Sequence, residues 1–316
     1  MITPLRILFY GTPQFAVPSL KFLLKHPDFE VLAVYTQPDR PRGRGQEISF
    51  TPLKEVALAA NLPVHQPAKI RAPEVEAELR ALAPDVIVII AYGQIIPARL
   101  LNIPKYGWIN LHASLLPKYR GAAPINWAIV NGETKTGNTT MRIDAGMDTG
   151  EMLLRQELAI VADETTPELA ARLAEAGAPL LAETLCGIAN GTLKGRPQNH
   201  AEATLAPILK REDGLIDWEL SAEQIYNRMR GFTPWPDAYT QFRSQLCHLR
   251  GKPVSNEPAE AEPGTIVSGT GKLWVACGQG TLLELSTVKL EGRKQVSAVE
   301  FANGARLQPG ERFGKR

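Results

Sequence analysis

Along the first 190 or so residues, short β-rich apolar runs alternate with stretches whose apolar positions recur at helical spacing. Strands are predicted over Arg6–Tyr10, Glu30–Thr36, Val64–Gln66, Val86–Tyr92 and Trp108–His112, with helices over Pro13–Lys25, Pro52–Asn61, Pro73–Ala83 and Pro167–Ile188. The unbroken apolar run VIVII within Val86–Tyr92 suits a strand covered on both faces, as in the middle of a parallel sheet. This alternation predicts a doubly wound, mostly parallel α/β sheet of Rossmann-like type. In such sheets ligands sit beyond the carboxyl ends of the strands, so the loops after Tyr10, Thr36, Tyr92 and Asn110 are expected to share one face.

The stretch 191–207 lacks a period and contains Gly, Pro and Asn, which reads as a linker. Beyond it the texture changes. A helix at Ser221–Arg230 is followed by short alternating strands, among them Tyr239–Phe242, Thr265–Ser268, Leu273–Ala276 and Thr281–Val288, separated by Gly/Pro turns. That spacing suggests a small β-barrel. The expected organisation is therefore a catalytic domain over 1–190, a linker over 191–207 and a barrel over 208–316.

Length agrees with this division, because 316 residues suggest about two domains. At 44% hydrophobic and 22% charged, the composition excludes disordered and fibrous classes. A formal charge of +2 says nothing by itself about a polyanionic partner, although the excess falls beyond residue 205, where 15 basic residues meet 13 acidic ones. The run Val86–Tyr92 is far short of the ~20 residues of a membrane-spanning helix, and the start of the chain lacks the pattern of a secretory signal. Cys186, Cys247 and Cys277 are odd in number, widely spaced and outside any CxxC pattern, which predicts reduced core thiols in a cytoplasmic protein and no metal site.

Four segments carry candidate chemistry. GTPQF after the first strand is a tight strand-to-helix turn with no phosphate-binding glycine fingerprint. TQPDRPRGRGQEIS projects Arg40, Arg42 and Arg44 from the predicted ligand face, and guanidiniums bind phosphates by forked hydrogen bonds. In NLHASLLPKYRGAAPINWAI, Asn110 and His112 alternate along a strand and so project from one face, an amide donor beside an imidazole. MRIDAGMDTGEML supplies Asp144 and Asp148. A carboxylate beside a histidine fixes its tautomer and favours its protonated form. The Asp-Thr-Gly triplet also matches the aspartic-protease signature, but that chemistry needs two facing copies, and one is present.

NLHASLLP followed by a DTG aspartate resembles the folate-dependent formyltransferases. GTPQFAVPSL, YTQPDRPRGRG, VIVIIAYGQIIP, LPKYRGAAPINWAI, IDW at Ile216–Trp218 and GFTPWP at Gly231–Pro236 resemble their methionyl-tRNA branch. The resemblance implies that Asn110, His112 and Asp148 are the catalytic trio. It implies that Ser114, Leu115, Leu116 and Pro117 form the tetrahydrofolate loop, with Tyr92, Gln94 and Ile95 on the pterin segment. It implies that the Arg-rich loop contacts initiator tRNA, Arg44 foremost, and that the C-terminal part is an OB-like barrel embracing that tRNA. Relatives often continue the GRG triplet with lysines, whereas Gln46 and Glu47 follow here, so this loop offers fewer basic contacts. The implied reaction moves a formyl group from N10 of 10-formyltetrahydrofolate to the α-amine of methionyl-tRNA in a cytoplasmic monomer without a metal. Asn110 and a protonated His112 are then the expected donors to the oxyanion, with His112 and Asp148 as alternative acceptors of the amine proton, directly or through water.

Overall fold

Strands β1 (Leu5–Gly11) and β6 (Val86–Ile90) lie side by side, buried from Ile7 onward in β1 and throughout β6, and their buried apolar residues divide strictly by parity. Ile7, Phe9, Val86, Val88 and Ile90 enter one apolar cluster, and Leu8, Tyr10, Ile87 and Ile89 enter another on the opposite face. This is the period of two expected of a central strand covered on both sides. The computed structural model describes residues 3–42, 47–255, 257–269 and 271–314, which fall into two units.

The first unit comprises Met1–Pro124, Lys135–Ala159 and Leu169–Pro207. In chain order it contains β1, α1 (Val17–Lys25), β2 (Phe29–Tyr35), β3 (Arg40–Arg42), β4 (Glu47–Ser49), α2 (Pro52–Ala59), β5 (Val64–His65), α3 (Pro73–Leu82), β6, α4 (Ala98–Leu101), β7 (Trp108–His112) and β8 (Arg120–Gly121). After α5 (Pro124–Val130), which falls to the second unit but for its first residue, come β9 (Lys135–Arg142), β10 (Met152–Ala159), most of α6 (Thr166–Ala189) and β11 (Leu205–Ala206). The main sheet runs β10-β9-β7-β6-β1-β2-β5. β7, β6, β1, β2 and β5 are parallel, while β9 and β10 extend the sheet antiparallel beyond β7. From β1 the chain builds outward first through β2 and β5, then on the other side through β6 and β7. The topological switch point therefore lies between β1 and β6.

Two features differ from the sequence expectation. The Arg-rich stretch read as a loop carries a two-stranded antiparallel ribbon, β3 with β4, in which Arg42 stands opposite Glu47. The stretch read as a linker belongs to the first unit: Arg196 pairs with Met152 and β11 pairs in parallel with β8. These pairings are two residues long or isolated, and so leave no periodic trace.

The second unit comprises Ile125–Thr134, Ile160–Glu168 and Ile208–Arg316. After α7 (Ala222–Gly231), its sheet of β12 (Tyr239–Phe242), β13 (Gln245–Pro253), β14 (Ile266–Gly269), β15 (Lys272–Cys277) and β16 (Thr281–Leu290) runs β12-β13-β16-β15-β14, antiparallel throughout. β17 (Val296–Ser297) pairs with β16 and leads into α8 (Ala298–Ala305). The two edges are bridged by the chain end, where Ile266 N donates to Glu311 O at 2.8 Å, Phe313 N to Gly264 O at 2.9 Å and Gly314 N to Gln241 O at 2.9 Å. The result is barrel-like and OB-like, its core built from Trp218, Phe242, Leu249, Val275, Leu283, Val288, Phe301 and Phe313.

Candidate active site

β7 carries Ile109 and Leu111 into the apolar cluster under α6, so Trp108, Asn110 and His112 face the other way. Pairing of Ile89 with Asn110 places the amide next to the carboxyl end of β6, one strand from the switch point. Asn110 is half-buried, and among the described residues its side-chain amide has no hydrogen-bond partner. His112 is only 5% exposed. Its Nε2 lies 2.9 Å from the Tyr119 carbonyl oxygen, which can only accept, so Nε2 carries a proton and donates it. Nδ1 faces Asp148, 3.6 Å from Oδ2.

Asp148 sits in the turn between β9 and β10 with φ 53°, in the left-handed region that few non-glycine residues adopt. Its Oδ2 also accepts from the Gly121 amide at 2.8 Å. Gly150 is required in the same turn, because a Cβ there would come to 1.9 Å from the Arg142 carbonyl oxygen. Asp144, the other acidic candidate, is used up locally, accepting from Gly146 N at 3.0 Å and from Thr149 Oγ1 at 2.7 Å.

Ser114–Pro117 leads away from the end of β7 and is pinned to β9. Thr139 Oγ1 donates to Ser114 O at 2.7 Å and lies 3.2 Å from Leu116 N, while Ser114 Oγ donates to Lys118 O at 2.6 Å. Leu116 and Pro117 are buried and Leu115 half-buried. Tyr92 turns its ring inward against Tyr10, at 5.1 Å in an edge contact, and offers its carbonyl to Gln37 Nε2 at 2.9 Å and Thr12 Oγ1 at 3.4 Å. The loops after β1, β2 and β6 thus meet at one point, as the parallel topology requires. Gln94 Oε1 accepts from Ile70 N at 2.8 Å, and Ile95 is 91% exposed. Burial pushes the Tyr92 hydroxyl up to about 12 and raises Tyr10 and Tyr35, so these phenols stay neutral. Arg40 is exposed on β3, Arg42 lies on the same strand, and Arg44 and Gln46 lie outside the described residues.

Sequence reasoning named Asn110, His112 and Asp148 but missed Tyr119 and Gly121, and with them Gln198, whose Nε2 donates to the Asp148 carbonyl, and Thr204, whose Oγ1 accepts from the Tyr119 amide. Tyr119 and Gly121 lay within the KYRG stretch already singled out; Gln198 and Thr204 had no local signal at all. Among the described residues no cluster of three or more His, Cys, Asp or Glu side chains is arranged to hold a metal.

Residues 5–185 match the family model described as formyl transferase, and residues 208–306 match that of the formyl transferase C-terminal domain. The chain belongs to the formyl transferase family. Among formyl transferases, it is 51% identical over 98% of its length, and all of the relative's, to the methionyl-tRNA formyltransferase of Acidobacterium capsulatum. It is 52% identical over 98% of its length, and 99% of the relative's, to that of Solibacter usitatus. A sugar 3N-formyl transferase, WlaRD, whose crystal structure was obtained in the presence of dTDP and 5-N-formyl-THF, shares the fold. The TM-score is 0.65 at 19% identity, covering 92% of this chain and 99% of that one. HypX from Aquifex aeolicus, in complex with tetrahydrofolic acid, matches with a TM-score of 0.61 at 16% identity, over 98% of this chain and 49% of that one.

Proposed function

We propose that this formyl transferase moves the formyl group of 10-formyltetrahydrofolate to the α-amine of initiator methionyl-tRNA, for translation initiation, as a cytoplasmic monomer. The relatives' names, at about half identity over nearly the whole chain, support the acceptor. The observation that carries the chemistry is the Asn110 amide, without a partner among the described residues, beside the His112–Asp148 pair.

An α-amine of pKa about 7.7–8.0 is partly neutral near pH 7, so the nucleophile needs little activation. The barrier lies in the charge that develops on the formyl oxygen as the amine nitrogen attacks the formyl carbon. Asn110 Nδ2 donates to that oxygen, a contribution of ~3–4 kcal/mol for one such donor. His112 Nε2–H is committed to the Tyr119 carbonyl, which leaves Nδ1 for the reaction. His112 Nδ1 then takes the amine proton, directly or through one water. Asp148, 3.6 Å away, stabilises the imidazolium, and the same proton passes to N10 as the carbon–nitrogen bond to the folate breaks. Every proton is accounted for, and His112 returns to its starting tautomer.

The folate binds along the crevice at the β1/β6 switch point, on the Tyr92, Gln94 and Ile95 segment and the Ser114, Leu115, Leu116 and Pro117 loop. Ile95, 91% exposed in the segment after β6, and Met147, 59% exposed next to Asp148 in the chain, offer apolar surface. Arg40 and Arg42 on β3, and Arg44 of the same Arg-rich segment, contact the tRNA backbone, as does the barrel. The test is a panel of acceptors with labelled formyl donor: initiator methionyl-tRNA, elongator methionyl-tRNA, a nucleotide-linked amino sugar, and none. Label in the initiator methionyl-tRNA supports the reading. Label in the sugar, or as formate without an acceptor, replaces it with a sugar formyltransferase or a hydrolase.

A further inference from the structure

Residues 186–207 lie between the two segments that match the family models, yet they supply a brace to the reacting pair. Gln198 is 5% exposed and both ends of its amide are used. Nε2 donates to the carbonyl oxygens of Asp148 and Gly150, each at 2.8 Å, which fixes the peptide on either side of the turn that holds Asp148 at positive φ. Oε1 accepts from Arg120 Nε at 3.0 Å and Nη2 at 2.7 Å. Arg120 is itself buried at 6% exposure, and its third contact, His200 Nδ1 at 3.2 Å, is also an acceptor on this segment. Among the described residues that guanidinium bonds neutral acceptors and no carboxylate, an expensive arrangement to bury unless its geometry is needed.

The same segment sets the other partner. Tyr119 also has positive φ, 61°, unusual for a bulky side chain. Its amide donates to Thr204 Oγ1 at 2.9 Å, and the next amide, Arg120 N, donates to Thr204 O at 2.9 Å. Beyond it Gly121 pairs with Ala206, so closely that a Cβ at Gly121 would stand 2.7 Å from the Ala206 carbonyl oxygen. Tyr119 O holds His112 Nε2, and Gly121 N holds Asp148 Oδ2. One short stretch, Gln198 to Ala206, therefore aims the imidazole through Tyr119 and the carboxylate through Gly121 and the Asp148 peptide.

We infer that Gln198, locked by Arg120, is a positioning residue for the formyl transfer, holding Asp148 at its distance from His112 Nδ1. This rests on the proposed reading of His112 and Asp148 as the pair that handles the proton. The tests use the full chain and single-turnover rates with labelled formyl donor and methionyl-tRNA, enzyme in excess. Gln198→Met keeps the length of the side chain and removes its hydrogen bonds. Its rate should fall about 10- to 100-fold, the cost of a small misplacement of reacting groups, with the binding affinity for both substrates unchanged. In an Asp148→Asn background the same replacement should change the rate little, because the charge it positions is gone. Gln198→Glu, which keeps the Arg120 contact and sets an acceptor against the two carbonyls, should behave as Gln198→Met and serves if that variant does not fold. A wild-type rate for these variants, or an equal loss in both backgrounds, overturns the inference while leaving the reading of Asp148 intact. A wild-type rate for Asp148→Asn alone overturns that reading, and the inference falls with it.

Discussion

Replacing Asn110 by alanine separates catalysis from folding more cleanly than any other change at this site. The amide is half-buried and bonds no other group among the described residues, so its removal strands no partner and breaks no internal hydrogen bond. Ile109 and Leu111 on either side keep the strand in its apolar cluster. The thermal midpoint should therefore stay within a few degrees of wild type, the range of ordinary substitutions away from core and buried networks. The full cost should fall on the transition state. A single oxyanion donor is worth ~3–4 kcal/mol, which at 1.36 kcal/mol per decade is a loss of about 10² to 10³ in kcat. The assay is steady-state formylation of methionyl-tRNA, with each substrate varied against a saturating level of the other. Asn110→Asp is the control, matching the shape but replacing the donor with an acceptor, and it should be no faster than the alanine variant. A folded Asn110→Ala enzyme with kcat within tenfold of wild type refutes the assignment, and a rise in KM at constant kcat would make Asn110 a ground-state binding residue instead.

Gly150→Ala should lower stability by about 1–3 kcal/mol in chemical denaturation, the range for overpacking, and reduce kcat, since a Cβ 1.9 Å from the Arg142 carbonyl oxygen forces the Asp148 turn to move; an unchanged enzyme would show the turn to be compliant. Burial pushes the Cys247 and Cys277 thiols up to about 12, so neither should be alkylated in the folded protein at pH 8.5, and both should be after unfolding. Because these pKa values are raised in the folded state, their contribution to stability is intact below the ordinary thiol pKa of 9.0 and drains away as pH climbs towards 12. Arg40→Ala and Arg44→Ala should each weaken tRNA binding and reduce the slope of log affinity against log salt by about 0.7–0.9, leaving folate affinity alone; an unchanged slope removes that arginine from the interface.

The central strands were legible because short apolar runs, unbroken in β6, mark strands covered on both faces: β1, β6 and β7 stand within two residues of where their patterns place them. β9 has no such run. Its sequence, KTGNTTMR, is polar, yet Thr136, Asn138, Thr139 and Thr140 are buried. Three of these side chains find partners inside: Asn138 Nδ2 donates to Leu173 O at 2.8 Å, Thr139 Oγ1 donates to Ser114 O at 2.7 Å, and Thr140 Oγ1 lies 2.8 Å from Thr184 Oγ1, while Asn138 Oδ1 is buried with no partner among the described residues. β13 was hidden for another reason, since Gly251 and Pro253 punctuate a strand that reads as turn residues. At the site, the residues that touch one another across β7 and the DTG turn were visible as side-chain types in a pattern. The brace was not, because Gln198 works through backbone carbonyls and Thr204 through backbone amides, and such contacts exist only once distant segments meet.

The most direct measurement is the rate at which wild type and His112→Ala transfer labelled formyl from 10-formyltetrahydrofolate to initiator methionyl-tRNA, run side by side on protein whose folding is checked by its thermal midpoint. The account predicts formylmethionyl-tRNA from the wild type and a rate lower by about 10² or more in the variant, within the range for losing a positioned acid–base group. Equal rates from the two proteins, or label released as formate by the wild type, would contradict it.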